Sequence, residues 1–167
     1  LIAAAQNETH GGEIMRLLLQ RVGQRQIGPE VLEAAMKYYS VARTLLQWHG
    51  HLKLSDLAVS NVALLKYGRG LSIMELLIKR FGNVPVTMEV ALFASFNSKY
   101  LDELLQLLLA QPGELQIDQE AVETIVCKGN EKTNLALFQR LQDNQITQDL
   151  LEIVAANSHP AVMIWLF

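Results

Sequence analysis

Residues 146–157, Ile-Thr-Gln-Asp-Leu-Leu-Glu-Ile-Val-Ala-Ala-Asn, have the pattern of one short amphipathic helix with a marked beginning. Thr147 is a good N-cap, because its hydroxyl can accept a hydrogen bond from an orphan amide of the first turn. Asp149 follows in that turn, where a carboxylate complements the positive end of the helix dipole. Leu150-Leu151 and, four residues later, Val154-Ala155 form a single apolar stripe. The stretch therefore predicts a helix that packs on one side.

The same pattern recurs along the chain. An apolar anchor opens each copy, at spacings of 27, 32, 31 and 29 residues; the anchors are Ile27, Leu54, Val86, Ile117 and Ile146. The next position is a good N-cap in four copies and glycine in one: Gly28, Ser55, Thr87, Asp118 and Thr147. We expect each of these first helices to span about ten to twelve residues. A period in this range indicates a stacked array rather than one closed domain.

A second, leucine-rich helix is expected after a short polar turn in each copy. Runs such as residues 17–19 and 107–109, all leucine, are apolar on more than one side, so the helix needs cover from its partner and from both adjacent repeats. Glycine recurs after these helices, where a left-handed C-cap is expected, at Gly23, Gly50, Gly82 and Gly113. One such pair cannot bury its own apolar face, so the pairs must stack.

These periodicities predict an all-α fold, an α-solenoid of about five and a half stacked antiparallel helix pairs. We interpret residues 1–167 as a single helical-repeat array. The predicted repeats span residues 1–26, 27–53, 54–85, 86–116, 117–145 and 146–167. Because the sequence opens and closes inside helical patterns, we expect the array to be a fragment of a longer protein.

Composition excludes several classes of function. Half of the residues are apolar and 7% are aromatic, which suits packing between helices better than a β-sandwich. The formal net charge of -3 argues against a nucleic-acid-binding protein. A single cysteine, Cys127, excludes an internal disulfide and is compatible with a cytoplasmic location; it ends an apolar stretch and is expected to behave as a small hydrophobe. No apolar run reaches the length of a membrane span.

The repeat resembles the short helical, ankyrin-like repeats of filamentous-fungal proteins that carry NACHT/NLR-type or ankyrin domains. The similarity is clearest in residues 3–7 (AAAQN) and 12–19 (GEIMRLLL), and it recurs in residues 72–78. Residues 146–151 with 155–157 match the other half of the unit. The resemblance implies a sensing or scaffolding role within a larger protein, and it implies no catalytic residues.

The sequence predicts no catalytic residue, no metal site and no cofactor for the array. His49 and His51 lie close together, but a zinc site needs further ligands, and His10 and His159 belong to distant repeats. Residues 68–70, Gly-Arg-Gly, have no strand before them and lack the lysine of a phosphate-binding loop. The acids lie singly at helix starts rather than in a cluster.

Polar and aromatic residues at or beside the inter-helix turns are the predicted partner-binding positions. They are Tyr38, Tyr39, Tyr67, Arg69, Asn97, Tyr100 and Asn157. Tyrosine offers a large rigid surface with a polar tip, which suits recognition. The same tyrosines could instead cover the ends of neighbouring helices.

A basic ridge is the second candidate surface. Its members fall near the ends of first helices in successive repeats: Lys37, Lys66, Lys99, Lys128 and Lys132. Such a ridge could bind phosphates or an acidic partner segment. Alternatively, the lysines only complement the negative ends of the helix dipoles.

We therefore predict a non-catalytic protein–protein interaction module, a scaffold or sensor, with a protein or peptide partner. One alternative is an enzyme whose helices enclose an apolar substrate, which would require acids that converge in a pocket. Another is a helical repeat that binds nucleic acid or phosphate through the basic ridge, which the acidic net charge disfavours.

Overall fold

The computed structural model describes residues 1–22, 26–65, 68–95, 101–111, 115, 117–157 and 160–166. Within these residues the protein is all-helical, as the repeat predicted: it has α-helices, one 3₁₀ turn, two isolated parallel bridges and no β-strand. The backbone contacts divide the chain into two compact units, Leu1–Gly82 (unit 1) and Asn83–Phe167 (unit 2).

Unit 1 is built from helix pairs. They are α1 (Ile2–Ala5) with α2 (Gly11–Val22), α3 (Pro29–Ala35) with α4 (Tyr39–Gln47), and α5 (Asp56–Ala63) with α6 (Arg69–Phe81). Helix α3 packs between α1 and α5, and α4 packs between α2 and α6. The first helices thus form one row and the second helices another, which is the stacking expected of a solenoid.

Unit 2 repeats this arrangement. Its pairs are α7 (Met88–Ser95) with α8 (Leu101–Leu109), α9 (Gln119–Lys128) with α10 (Glu131–Phe138), and α11 (Gln148–Ala156) with α12 (Pro160–Leu166). Helix α9 packs between α7 and α11, and α10 packs between α8 and α12. The 3₁₀ turn, Asp143–Gln145, precedes α11.

The predicted N-caps are confirmed. The side chains of Ser55, Asp118 and Thr147 each accept a hydrogen bond from the amide three residues later. Thr87 accepts one from the Val90 amide at 3.4 Å. Helix α3 begins differently, because its N-cap residue, Gly28, has no side chain that could accept a hydrogen bond. Pro29, the first residue of the helix, instead fixes φ near the value that a helix requires.

Two parallel backbone bridges involve anchor residues. Val86 forms a parallel bridge with Ile117, and Ile27 forms one with Leu52 rather than with the predicted anchor Leu54. The Ile27 amide donates to the His51 carbonyl at 3.0 Å. The Val86–Ile117 bridge therefore ties two predicted repeats together at the residues that precede their first helices.

Of the five helices that follow an anchor, four are shorter than predicted, with 7 to 9 residues, and α9 has the expected 10. After α3 the chain leaves the helix but stays in the core: Met36, directly after the last residue of α3, is fully buried.

Two further expectations are wrong. Gly50 is not a left-handed cap; among the described residues only Gly68 and Gly82 have a positive φ. A β-carbon at position 50 would overlap the outer end of the Trp48 ring, so a larger residue there requires that ring to move. Cys127 is exposed rather than buried, because the buried stripe of α9 ends at Val126 and the next residue turns about 100° toward solvent. Gly23 and Gly113 lie outside the described residues.

Candidate partner-binding groove

A surface groove of about 420 Å³ lies at the inter-helix turns of unit 1. Its lining, here called the turn groove, consists of Glu8, Lys37, Tyr38, Tyr39, Ser40, Leu65 and Arg69. Three successive turns contribute, those of α1–α2, α3–α4 and α5–α6. The structure thus brings together four residues singled out in the sequence: Lys37, Tyr38, Tyr39 and Arg69.

The α3–α4 turn places two tyrosines side by side. Its tightness comes from the Tyr38 amide, which donates to the Ala35 carbonyl at 3.0 Å. Tyr38 is the N-cap residue of α4 with an extended backbone, and Tyr39 is the first residue of that helix. Both side chains are half-buried. Each ring is therefore held against the protein with part of its surface available to a ligand.

The α5–α6 turn fixes the position of Arg69. Gly68 precedes it at φ 71° and ψ -3°, a left-handed conformation that glycine adopts without strain. A β-carbon on Gly70 would lie 2.8 Å from the Val62 carbonyl oxygen, so this glycine lets α6 begin close to the end of α5. The Gly-Arg-Gly sequence is thus a positioning turn, and it presents the arginine as an exposed first residue of the helix.

The α1–α2 turn is organised around Asn7. Its side-chain oxygen accepts from the Thr9 amide at 3.2 Å and from the His10 amide at 2.8 Å. This Asx-type turn fixes the backbone on both sides of Glu8, whose side chain is exposed. The carboxylate consequently lies at one end of the lining, contributed by the first of the three turns.

The groove carries an excess of positive charge. Among its described lining residues are two cations, Lys37 and Arg69, and one carboxylate, Glu8, and all three are exposed. Within the part of the chain that the structure describes, no hydrogen bond or ion pair engages the side chains of Lys37 or Arg69. Both cations are therefore available to an outside ligand.

Other predicted partner residues are not brought to this groove. Asn157 lies in unit 2, where its side-chain amide donates to the Ile153 carbonyl at 2.8 Å and so serves the end of α11. Lys128 and Lys132 are exposed in unit 2, in the last turn of α9 and the first turn of α10. The remaining predicted residues, Lys66, Tyr67, Asn97, Lys99 and Tyr100, lie outside the described residues. The basic ridge stays a prediction.

Three lining residues were missed by the sequence analysis: Glu8, Ser40 and Leu65. The available signal was their position, because each lies in or next to a turn of the same kind as the turn that holds the tyrosines. The stacking of the helix pairs determines which turns lie side by side. These residues could therefore be assigned to one groove only from the structure.

Two other grooves in unit 1 have a different lining. One, of about 620 Å³, includes His49, His51 and Arg80, but the arginine is occupied by hydrogen bonds to the carbonyls of Leu46 and Gly50. The other, of about 350 Å³, lies between α2 and α4 and includes Trp48. Of these three grooves, the turn groove is the one whose described lining combines two tyrosines with two unengaged cations.

Two further features of the described residues concern metal ions and membranes. Among the described residues, no group of three or more histidine, cysteine, aspartate or glutamate side chains could hold a metal ion. None of the described helices has both the length and the apolar character needed to cross a membrane.

Comparisons with protein-family models, curated proteins and solved structures find no match to this chain. A functional interpretation therefore depends on the geometry of the chain itself.

Proposed function

We propose that this chain is a non-catalytic interaction module that binds a protein or peptide segment in the turn groove. The observation that carries the proposal is the convergence of three inter-helix turns on one surface lined by Tyr38, Tyr39 and two unengaged cations. Tyrosine and arginine are the residue types enriched at the energetic centres of protein interfaces. The groove contains both on a helical scaffold.

The scaffold supports this role because it orders the groove before a ligand arrives. The described residues of the turns are held by backbone hydrogen bonds, by the Asn7 side chain and by two glycines that meet close-approach or left-handed requirements. Tyrosine also loses little conformational entropy on binding, since it has only two side-chain torsions. Affinity in such a site comes from low ordering cost rather than from large buried area.

We further propose that the module serves as a scaffold or sensor array in a longer, cytoplasmic protein. The support is the resemblance of its repeat to those of fungal NACHT/NLR-type proteins, together with a single cysteine whose thiol is free.

A displayed random-peptide library, selected on the immobilised chain, tests the proposal. Recovered peptides are expected to lose at least about tenfold in affinity for a Tyr39→Ala/Arg69→Ala variant, since an interface aromatic and a charged contact are both removed. The control is Arg43→Ala, an exposed arginine of α4 outside the groove lining. Circular dichroism of each variant shows whether the fold is retained. Selected peptides that bind the double variant as well as the parent would place recognition elsewhere and overturn the proposal.

A further inference from the structure

We infer that the segment bound in the turn groove is extended and acidic, with its carboxylates on Lys37 and Arg69 and its stems against Tyr38 and Tyr39. This inference rests on the proposed function and specifies the chemistry of the partner. It is carried by charge complementarity, by the unengaged side chains and by the dimensions of the groove.

The charge of the lining comes first. Lys37 and Arg69 contribute two positive charges against the single negative charge of Glu8. Neither cation has a hydrogen-bond or ion-pair partner among the described residues. A guanidinium can bind a carboxylate with two parallel hydrogen bonds, and an ammonium adds a point charge that a second carboxylate can meet. Two separated carboxylates match two cations contributed by different turns.

The tyrosines supply the rest of the contact. Tyr38 and Tyr39 are half-buried, and no hydrogen bond engages their hydroxyl groups within the described residues. A phenol hydroxyl can donate to a carboxylate or a peptide carbonyl, while the ring packs against aliphatic stems. Glutamate, with a charged end and a short aliphatic stem, fits both halves of this lining.

The groove length favours a chain segment over a small molecule. Its lining draws on three successive turns of the stack, and stacked helices lie about 8–10 Å apart. Two such steps span about 18 Å, which an extended chain crosses in about five or six residues at roughly 3.3 Å each. A segment of that length can place two acidic residues on the two cations.

Glu8 gives the bound segment a direction. It belongs to the first turn of the row, whereas Lys37 and Arg69 belong to the second and third. An acidic residue near Glu8 would be repelled, so the acids of the segment should cluster toward the Arg69 end. Removal of the Glu8 charge should therefore strengthen the binding of a uniformly acidic peptide.

Fluorescence anisotropy with three labelled peptides of equal length tests the inference. The peptides alternate leucine with glutamate, with glutamine or with lysine. The glutamate peptide is expected to bind about tenfold more tightly than the glutamine peptide, since it forms ion pairs with both cations and the glutamine peptide forms none. Its affinity should fall as salt is raised, because exposed ion pairs are screened.

Variants connect this preference to the groove. Lys37→Gln/Arg69→Gln should reduce the affinity for the glutamate peptide to that for the glutamine peptide, without changing the latter. Glu8→Gln should raise the affinity for the glutamate peptide about two- to threefold. Arg16→Gln, which removes an exposed arginine from another groove of unit 1, is the matched control and should change neither affinity.

The outcomes separate the inference from the proposed function. Equal binding of the glutamate and glutamine peptides, with both weakened by Tyr39→Ala, would overturn the acidic preference and leave the interaction groove intact. Binding of a phosphoserine peptide but not of the glutamate peptide would overturn it in favour of a phosphate ligand. Absence of any groove-dependent peptide binding, including by library-selected peptides, would overturn both.

Discussion

Arg80 and Arg140 occupy the same position of the repeat, six residues before the anchors Val86 and Ile146, and each donates to the loop at the end of the preceding second helix. Arg80 reaches the Leu46 carbonyl at 3.4 Å and the Gly50 carbonyl at 2.5 Å. Arg140 reaches the Gln111 carbonyl at 2.9 Å. The Leu46 carbonyl lies in the last turn of α4, where carbonyls have no partner within the helix, and those of Gly50 and Gln111 lie just beyond a helix end. In each case a side chain from one repeat binds a backbone carbonyl of the repeat before it.

Arg80→Ala is therefore expected to lower the free energy of unfolding by about 1–3 kcal/mol, since partly buried carbonyls lose a charged donor. Arg21→Ala is the matched control. Arg21 also lies six residues before an anchor, Ile27, but it is exposed and no hydrogen bond engages its side chain within the described residues. Urea unfolding of the two variants gives the comparison. Equal losses for both would show that the carbonyl contact contributes nothing to stability.

Gln111 fills the equivalent position before Ile117 and is 2% exposed. Its amide accepts from the Val84 nitrogen at 2.6 Å and donates to the carbonyls of Val84 at 3.0 Å and Leu108 at 2.8 Å. Gln111→Leu leaves these buried backbone groups unpaired and is expected to lower the free energy of unfolding by about 2–3 kcal/mol. Gln139→Leu, at an exposed position, should change it by less than about 0.5 kcal/mol. Equal unfolding midpoints in urea would contradict this assignment.

The sequence predicted structural roles that depend on a residue's own helix, and it did not predict roles that depend on the neighbouring repeat. The N-caps at Ser55, Asp118 and Thr147 were predictable because capping needs one of a few residue types at one place in a helix. The role of the position six residues before the anchor was not predictable. Arginine or glutamine occupies it, and although the two side chains differ, each makes hydrogen bonds to the loop after the preceding second helix. Its role is defined by what lies opposite in the neighbouring repeat, and the sequence does not show that directly.

The turn groove shows the same division. Tyr38, Tyr39 and Arg69 could be selected from the sequence as residues of recognition types at or beside turns. Glu8 and Leu65 could not, since neither has such a signal and their relevance comes only from the stacking of three turns. Stacking places residues about thirty apart in sequence side by side, so a surface site of this fold is only partly visible in any single repeat.

Gly68 controls the direction in which Arg69 leaves the α5–α6 turn. Its φ of 71° is costly for other residues, least so for asparagine and most for β-branched ones. We expect Gly68→Asn to lower the free energy of unfolding by less than Gly68→Ala, which should lower it by about 1–2 kcal/mol, and Gly68→Val to lower it most. Urea unfolding of the series measures the order. An unchanged stability in the valine variant would mean that the left-handed turn is not required.

Asp118 links two repeats through its two carboxylate oxygens, and its substitution tests how much of the stability comes from such links. One oxygen accepts from the Ala121 amide of its own helix at 2.7 Å, and the other accepts from the Met88 amide of the preceding repeat at 3.0 Å. Asp118→Ser keeps an N-cap but loses the second contact, so it should cost about 0.5–1.5 kcal/mol. Asp118→Ala loses both and should cost about 1 kcal/mol more. Thermal unfolding of both variants, with Gln148→Ala as an exposed control, measures the two steps. If serine restored full stability, the contact to Met88 would carry no weight, and coupling between these repeats would depend on apolar packing alone.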